Sequence, residues 1–399
     1  MQKYVLSIII PIYNRVDLIH RCVDGIMEQS NKVEIILVDD CSTDNSAEAC
    51  ISLATEYANI VFVQMQQNKG PGAARNEGIK IASGDFLFFL DSDDLINNLN
   101  SLIELLNNNP NTDIVCSNMI TVRVDGTVYE SNHIFYENEL MSSDIWFQLN
   151  KQRGIHSHLY RTARKNFLLE NNILFPELYC AEDGMFTLDV LMAAKLIYAT
   201  PLQVYRYYQD TPNSLVTFSR SEDNAKRSFF SSMQMINHIT ALIKVELNSD
   251  RREFLERVLD STIIAAISFI NITELKNNDI IKNHIETISM KILNTRHGKN
   301  IYLCPGSLFN VEIATIFNEI GHFQIEGFID NMAKTNATAV RLVNNGHKLY
   351  NPSQLANNDV VIILFSPSPV VMDALIMQFS EYGYAKEYYK GIYILFKKG

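Results

Sequence analysis

The chain has 399 residues, 47% of them hydrophobic, and a formal net charge of -11. That length predicts two or three domains, and the apolar fraction is ample for packed cores. The negative balance argues against a nucleic-acid partner and against electrostatic docking on an anionic membrane.

Six cysteines (Cys22, Cys41, Cys50, Cys116, Cys180, Cys304) are scattered along the chain. They form no CxxC pair and no Cys/His cluster, which disfavours structural zinc, and they read as reduced cytosolic thiols. The opening MQKYVLSIIIPIYN has neither the length nor the cleavage site of a signal peptide. There is no run of ~20 apolar residues; the longest late candidate, DVVIILFSPSPVVMDALIM, is broken by Pro367 and Pro369. The expectation is a soluble cytoplasmic protein, with peripheral attachment at the inner face of the cytoplasmic membrane left open.

The first hundred residues alternate strand and helix signals. YVLSIII is a β-rich run stopped by Pro11, and RVDLIHRCVDGIMEQS places Leu18, Ile19, Cys22, Val23 and Ile26 at helical spacing. VEIILV is a second buried strand, closed by Asp39 and Asp40. DNSAEACISLATEY predicts a helix, with Asp44 and Ser46 as capping residues. NIVFVQM is a third strand, GPGAARNEGIKIA a loop then a helix, DFLFFL a fourth strand and LINNLNSLIELLNN the next helix. Apolar strands separated by helices predict a parallel sheet covered on both faces. Ligands of such sheets bind beyond the carboxyl ends of the strands. Pro11 to Asn14, Asp39–Asp40 and Asp91–Asp94 all fall there.

Residues 110 to 215 mix shorter strands with helices and read as the second half of the same domain. From about 220 to 295 the pattern is helical, with periodic apolar faces. From about 298 a new unit begins with NIYLCPGSLFNVEIATIFNEIG and ends in the strand GIYILF. The predicted division is 1–215, 216–296 and 297–399. No tandem repeat or low-complexity segment stands out.

Asp91-Ser92-Asp93 sets two carboxylates two residues apart at a strand end. Hard oxygen ligands that leave positions open suit Mg²⁺ or Mn²⁺ with a bound diphosphate; the alternative is caps and solvated loop residues, and Asp94 is expected to cap the helix after it. A carboxylate of the Asp39-Asp40 pair can accept from a nucleobase N–H or a ribose hydroxyl; the alternative is a turn leading into a helix cap. Gly70, Pro71 and Gly72 let a backbone approach a ligand closely, and Arg75 offers a planar fork for phosphate or base. Glu182-Asp183 precedes an amphipathic helix. It is a general base candidate or a favourable helix terminus. His156 and His158 in GIHSHLYR, and Arg206 in VYRYYQDTPNS, are candidates for an acceptor site, against ordinary structural roles.

Together, SIIIPIYNR, ILVDDCSTDNS, NKGPGAARNEGIKIASGDFLFFLDSDD and LYRTARKNFLLENNILFPELYCAEDGMFTLDVL resemble the family-2 inverting glycosyltransferases of bacterial surface-polysaccharide synthesis, most of all those of wall-teichoic-acid type. The resemblance covers roughly residues 1 to 215. It implies a GT-A nucleotide-sugar-binding domain with a mostly parallel central sheet. Beside it the sequence reads as a helical middle segment and a small C-terminal Rossmann-like α/β domain. It further implies inverting, metal-dependent transfer from a UDP-sugar to a hydroxyl of a glycan or polymer acceptor. Pro11 and Tyr13 would then lie against the uridine, with Asp40, Asn68 and Arg75 at the nucleoside. Asp91, Ser92 and Asp93 would form the DxD segment, with Asp91 and Asp93 on Mn²⁺ or Mg²⁺. Asp183 would be the catalytic base, with Glu182 orienting acceptor or sugar.

Departures limit the transfer. Many relatives carry Trp-Asn-Lys where His156-Ser157-His158 stands. The C-terminal loop Cys304-Pro305-Gly306-Ser307, with Asp330 beyond, keeps one glycine and loses an N–H at Pro305, which disfavours dinucleotide binding and a dehydrogenase reading. That domain reads rather as an acceptor-recognition or homo-oligomerisation module. A sugar nucleotidyltransferase would need a glycine-rich loop after the first strand, where PIYNRVD stands. An inactive, assembly-only glycosyltransferase-like module is the remaining alternative, and the intact DSD and ED pairs argue against it. Donor sugar, acceptor, linkage and oligomeric state stay open.

Overall fold

The computed structural model describes residues 4–122, 126–131, 137–151, 161–208, 222–267, 269, 278–296, 299–304, 308–319, 324–329, 348–355, 360–364, 369–390 and 392–397. By compactness the chain forms two units: residues 1–231 with 241–254, and residues 232–240 with 255–399.

In the first unit β1 (Leu6–Ile12), α1 (Val16–Met27), β2 (Glu34–Asp39), α2 (Ser46–Glu56), β3 (Ile60–Gln64), α3 (Pro71–Ile81) and β4 (Phe86–Phe89) alternate. Then come β5 (Leu95–Ile96), α4 (Leu99–Asn108), β6 (Ile114–Val122), β7 (Val128–Ser131), β8 (Glu139–Ser142) and α5 (Ser143–Asn150). β9 (Arg161–Arg164), α6 (Lys165–Glu170), α7 (Glu182–Ala193) and β10 (Leu196–Tyr208) follow. The sheet order is β3-β2-β1-β4-β9-β6-β10-β5, with β7 on β6 and β8 on β10. Strands β3, β2, β1 and β4 are mutually parallel. β9 lies antiparallel between β4 and β6, and β6 runs parallel to β10.

Every residue of β1, β2 and β4 is buried. That is why their sequences are mostly apolar runs rather than alternating ones, with Ser7, Glu34 and Asp39 as the polar members. Helix α1 turns Ile19, Cys22, Val23 and Ile26 into the core, each apolar side chain contributing about 1.5–3 kcal/mol of burial. Helix α3 lies so close to β1 that a Cβ on Gly78 would stand 2.4 Å from Ile9 Cγ2. At the amino end of the sheet, Glu34 accepts from Ser7 Oγ (2.5 Å), Ser83 N–H (2.7 Å) and Ser83 Oγ (2.8 Å), so a buried carboxylate is satisfied there.

Two expectations are corrected. Pro11 does not stop β1, which runs on to Ile12 with Pro11 opposite Val38. β4 ends opposite Ile9, so no ladder bond on that side is asked of residue 11 and its missing N–H costs little. Leu95 and Ile96, expected to begin a helix, form β5 instead, pairing antiparallel with Arg206 and Tyr205. Helix α4 starts only after Asn98, a left-handed residue at φ 52°.

Helices α8 (Glu222–Val245) and α9 (Ser249–Ile267) each carry residues of both units. The second unit continues with α10 (Asp279–Arg296), β11 (Ile301–Cys304), α11 (Leu308–Glu319), β12 (Gly327–Ile329) and β13 (Leu349–Tyr350). It ends with α12 (Pro352–Leu355), β14 (Val361–Leu364), α13 (Pro369–Glu381), β15 (Tyr384–Tyr389) and β16 (Ile392–Lys397). Its sheet order is β13-β12-β11-β14-β16-β15, parallel through β14 and antiparallel beyond. Pro305, Gly306, Ser307 and Asp330 lie outside the described residues.

This unit holds a buried charge group. His284 Nε2 donates to the Lys390 carbonyl at 3.0 Å, while Nδ1 faces Asp260 at 3.7 Å and Lys390 Nζ stands 3.8 Å from the same carboxylate. Burial lowers the His284 pKa to about 4 and raises that of Asp260 to about 6. Among the described residues no helix is long and apolar enough to cross a membrane, and all six cysteines are free.

Candidate active site

Parallel pairing brings the carboxyl ends of four strands to one edge. Ile12 pairs with Asp39 and Asp39 with Gln64, and Leu90 N–H bonds to the Ile9 carbonyl at 3.0 Å, so Asp91 follows at the same edge. Loops β1–α1 and β2–α2 are stitched there. Asn14, left-handed at φ 54°, accepts Thr43 N–H at 2.8 Å and donates its own N–H to Ser42 Oγ at 3.0 Å.

Arg75, in the second turn of α3, is the hub. Its guanidinium is 2.7 Å from Asp91 Oδ1 and 3.2 Å from Glu182 Oε1, and its side chain is only 4% exposed. It also lies 5.2 Å above the Phe175 ring, a placement an arginine fork suits and a lysine does not. Burial by itself would lower its pKa; the Asp91 and Glu182 carboxylates outweigh that and hold it up. The two acids it joins are 91 positions apart in sequence, and packing brings them together. Phe89 at the end of β4 meets Phe175 and Phe186 edge-on at 5.0 and 5.4 Å, and those two rings stack at 3.8 Å. This aromatic wedge fixes the start of α7 against the strand end.

Glu182 and Asp183 fill the first turn of α7, after Ala181, which is left-handed at φ 64°. Glu182 is buried, and burial together with Asp183 pushes its carboxyl up, against Arg75. The helix N-terminus favours both negative charges. Asp183 is half-buried and accepts the Gly184 N–H at 2.7 Å. Gly72 is small for a packing reason: a Cβ there would stand 3.2 Å from Glu182 Cγ and 3.1 Å from the Pro176 carbonyl. Gly70, at φ 88°, caps α3 and is the position that needs glycine for its backbone.

The three clustered acids of the DSDD segment separate by environment. Asp94 is not a helix cap, because α4 begins five residues later. It is 1% exposed and accepts from Tyr205 Oη (2.6 Å) and Tyr208 N–H (2.7 Å). Burial, then Asp91 and Asp93, raise its pKa to about 8, against the two hydrogen bonds it accepts. Tyr205 Oη also accepts the Asp91 N–H at 3.2 Å. Arg21 donates to the Asp93 carbonyl and stacks 4.5 Å over Tyr208. Ser92 is buried between the two outer acids.

As to a divalent cation, among the described residues no three His, Cys, Asp or Glu side chains converge. Asp91 and Asp93 offer two carboxylates, and Asp91 already has one oxygen on Arg75. Such a partial set fits Mg²⁺ or Mn²⁺ when a diphosphate completes the shell.

The nucleoside residues are placed as follows. Both Asp40 oxygens are taken by backbone N–H groups, Lys69 at 2.8 Å and Gly70 at 2.7 Å. Burial raises its pKa against those bonds. It clasps the loop before α3. Pro11 is buried, Tyr13 is 43% exposed, and Asn68 is exposed on that same loop. Asp39, the other member of the predicted strand-end pair, is placed differently. Its Oδ2 accepts Ser42 N–H at 3.1 Å, while its fully buried Oδ1 has no partner among the described residues. Strand alternation sends Asp39 and Asp40 to opposite faces. Arg206 lies in β10, opposite Leu95. His156 and His158 lie outside the described residues.

The fold and this cluster define a class: an α/β domain that gathers acids around one buried arginine at the carboxyl ends of parallel strands. A family model, Glycosyl transferase family 2, matches residues 7–171 of the chain. The poly(ribitol-phosphate) beta-glucosyltransferase of Bacillus spizizenii is 34% identical over 213 residues, covering 51% of this chain and 32% of that protein. The poly(ribitol-phosphate) beta-N-acetylglucosaminyltransferase TarS of Staphylococcus aureus is 29% identical over 262 residues, 63% of this chain and 42% of TarS. The chain thus spans less than half the length of these relatives, 32% and 42%. The crystal structure of S. aureus TarS 1-349 in complex with UDP shares the fold, with a TM-score of 0.50 and 22% identity over 74% of this chain and 81% of that one.

Proposed function

We propose that the chain is an inverting glycosyltransferase that moves a sugar from a UDP-sugar to a hydroxyl of a polymer acceptor, of the polyol-phosphate kind named for its relatives. The observation that carries the reading is the Arg75 bridge, which joins Asp91 at the strand end to Glu182, with Asp183 one residue on. The likeness to a fold solved with UDP supports the donor.

In this reading Pro11 and Tyr13 flank the uridine, Asn68 lies beside it, and Asp39 takes the base N–H while Asp40 holds the surrounding loop. Asp91 and Asp93 would hold Mn²⁺ or Mg²⁺, which when bound offsets the negative charge of the departing diphosphate. Asp183 takes the proton of the acceptor hydroxyl. The freed oxygen attacks the anomeric carbon opposite the UDP, the new C–O bond forms, and the old one breaks with its electron pair leaving on the diphosphate. One displacement inverts the centre, so an α-linked donor gives a β product. Glu182, paired to Arg75, orients acceptor or sugar. Residues 1–215 form the catalytic part, 216–296 a helical connection and 297–399 an accessory domain.

The test is UDP release by the purified chain with a panel of UDP-sugars, with and without Mn²⁺. Asp183→Asn is expected to lower transfer by at least about 100-fold while UDP binding persists. Wild-type turnover in that variant would remove Asp183 as the base, and no UDP release with any donor would favour an inactive module.

A further inference from the structure

A cavity of about 570 Å³ opens in the first unit between α4 and the middle of β10. Its lining shares no residue with the Arg75 cluster. One wall is helical, with Ser101, Glu104 and Asn108 exposed on α4. The floor is the segment Tyr198 to Gln203 of β10. Here the strand shifts register against β6, at Thr200/Gln203 and again at Gln203/Tyr205. Such irregularities re-aim side chains beside sites. Asn98 ties the two walls together, its Nδ2 on the Gln203 carbonyl at 2.9 Å. Thr200 Oγ1 fixes Asn138 at 2.6 Å.

The chemistry of this lining is specific. Five of its twelve residues are carboxamides, Asn98, Asn108, Asn109, Asn138 and Gln203, and none is Lys or Arg. A carboxamide donates and accepts together, as a sugar hydroxyl does. Tyr198, half-buried, supplies a flat apolar ring, and Leu105, Pro201 and Leu202 add apolar surface. Glu104 can accept from a pair of hydroxyls and repels phosphate. The volume lies in the about 300–1,000 Å³ range of small-ligand sites.

We infer that this cavity is a secondary binding site for a neutral oligosaccharide, apart from the donor cleft. It does not depend on the reading of the Arg75 cluster. The occupant is a neutral saccharide chain rather than the phosphate-bearing acceptor, which Glu104 would repel.

The experiment is saturation-transfer NMR on the full chain, with gluco- and chito-oligosaccharides as probes and hexose phosphates as the anionic comparison. Neutral probes are expected to bind saturably without competition from UDP, and hexose phosphates more weakly. Asn108→Ala combined with Ser101→Ala, both on the exposed face of α4, should weaken binding by about tenfold. Glu104→Lys should turn the preference toward the phosphates. Tyr198→Ala should abolish binding, but Tyr198 also packs on the core, so the α4 variants decide. Absence of binding by every neutral probe, displacement by UDP, or binding unchanged in the α4 variants would overturn the inference.

Discussion

In the first unit the parallel strands β1, β2 and β4 run out toward Tyr13, Asp39–Asp40 and Asp91; in the second, β11, β12, β13 and β14 run out at Cys304, Ile329, Tyr350 and Leu364. Both sheets offer the place where α/β proteins bind ligands. Only the first has described acids there, and an arginine to hold them. The second keeps its charge elsewhere, in the Asp260–His284–Lys390 group. There burial favours the uncharged forms, whereas at the first site Arg75 pairs with acids at the strand edge. The architecture supplies a position, and the strand-end residues decide its chemistry.

The sharpest way to break the contrast is to remove the arginine. Arg75→Met leaves Asp91 and a buried Glu182 beside each other with no cation. We expect a loss of about 3–5 kcal/mol in urea unfolding of the full chain, with weakened UDP binding by calorimetry. Unchanged unfolding would mean that the bridge does not organise the site.

In the second unit the effect is a slope rather than a loss. The His284 pKa lies below its usual value, so its contribution is present above about pH 6.5 and falls as the pH drops toward about 4. The Asp260 pKa lies above its usual value, so its contribution is present below about 3.8 and is lost as the pH rises through about 6. Between pH 4 and 6 the two oppose. Asp260→Asn should therefore expose the histidine alone, giving a melting temperature that climbs from pH 4 to 6.5 more steeply than wild type. Parallel curves would show that the pair is not coupled to folding. At the bottom of the scale, Lys80→Ala removes a surface partner of Glu77 at 2.6 Å and should cost under about 0.5 kcal/mol. A larger change in thermal unfolding would mean that surface pairs also matter here.

The alternation of buried strands and amphipathic helices was plain in the first hundred residues, because a sheet covered on both faces leaves few polar positions along its strands. The acidic motifs were legible as strand-end features for the same reason. Asp94 was not, since its partners Tyr205 and Tyr208 lie 111 and 114 residues away. Nor could adjacency show that Asp40 spends both oxygens on its own loop while Asp39 keeps one unused. Pro11 misled because its cost depends on how far the neighbouring strand extends, which only the register with β4 reveals.

The Tyr205 hydroxyl has a consequence in time. It touches Asp94 Oδ2 and the Asp91 N–H across separations of 111 and 114 residues. A ribosome adding about 5–20 residues per second exposes the acidic loop several seconds before the tyrosine that fixes it is made. Glu182 also arrives late, 107 residues after Arg75. The growing chain therefore holds the sequences of β1 to β4 well before the contacts that fix the acidic loop can form, and those contacts come only when β10 is laid down.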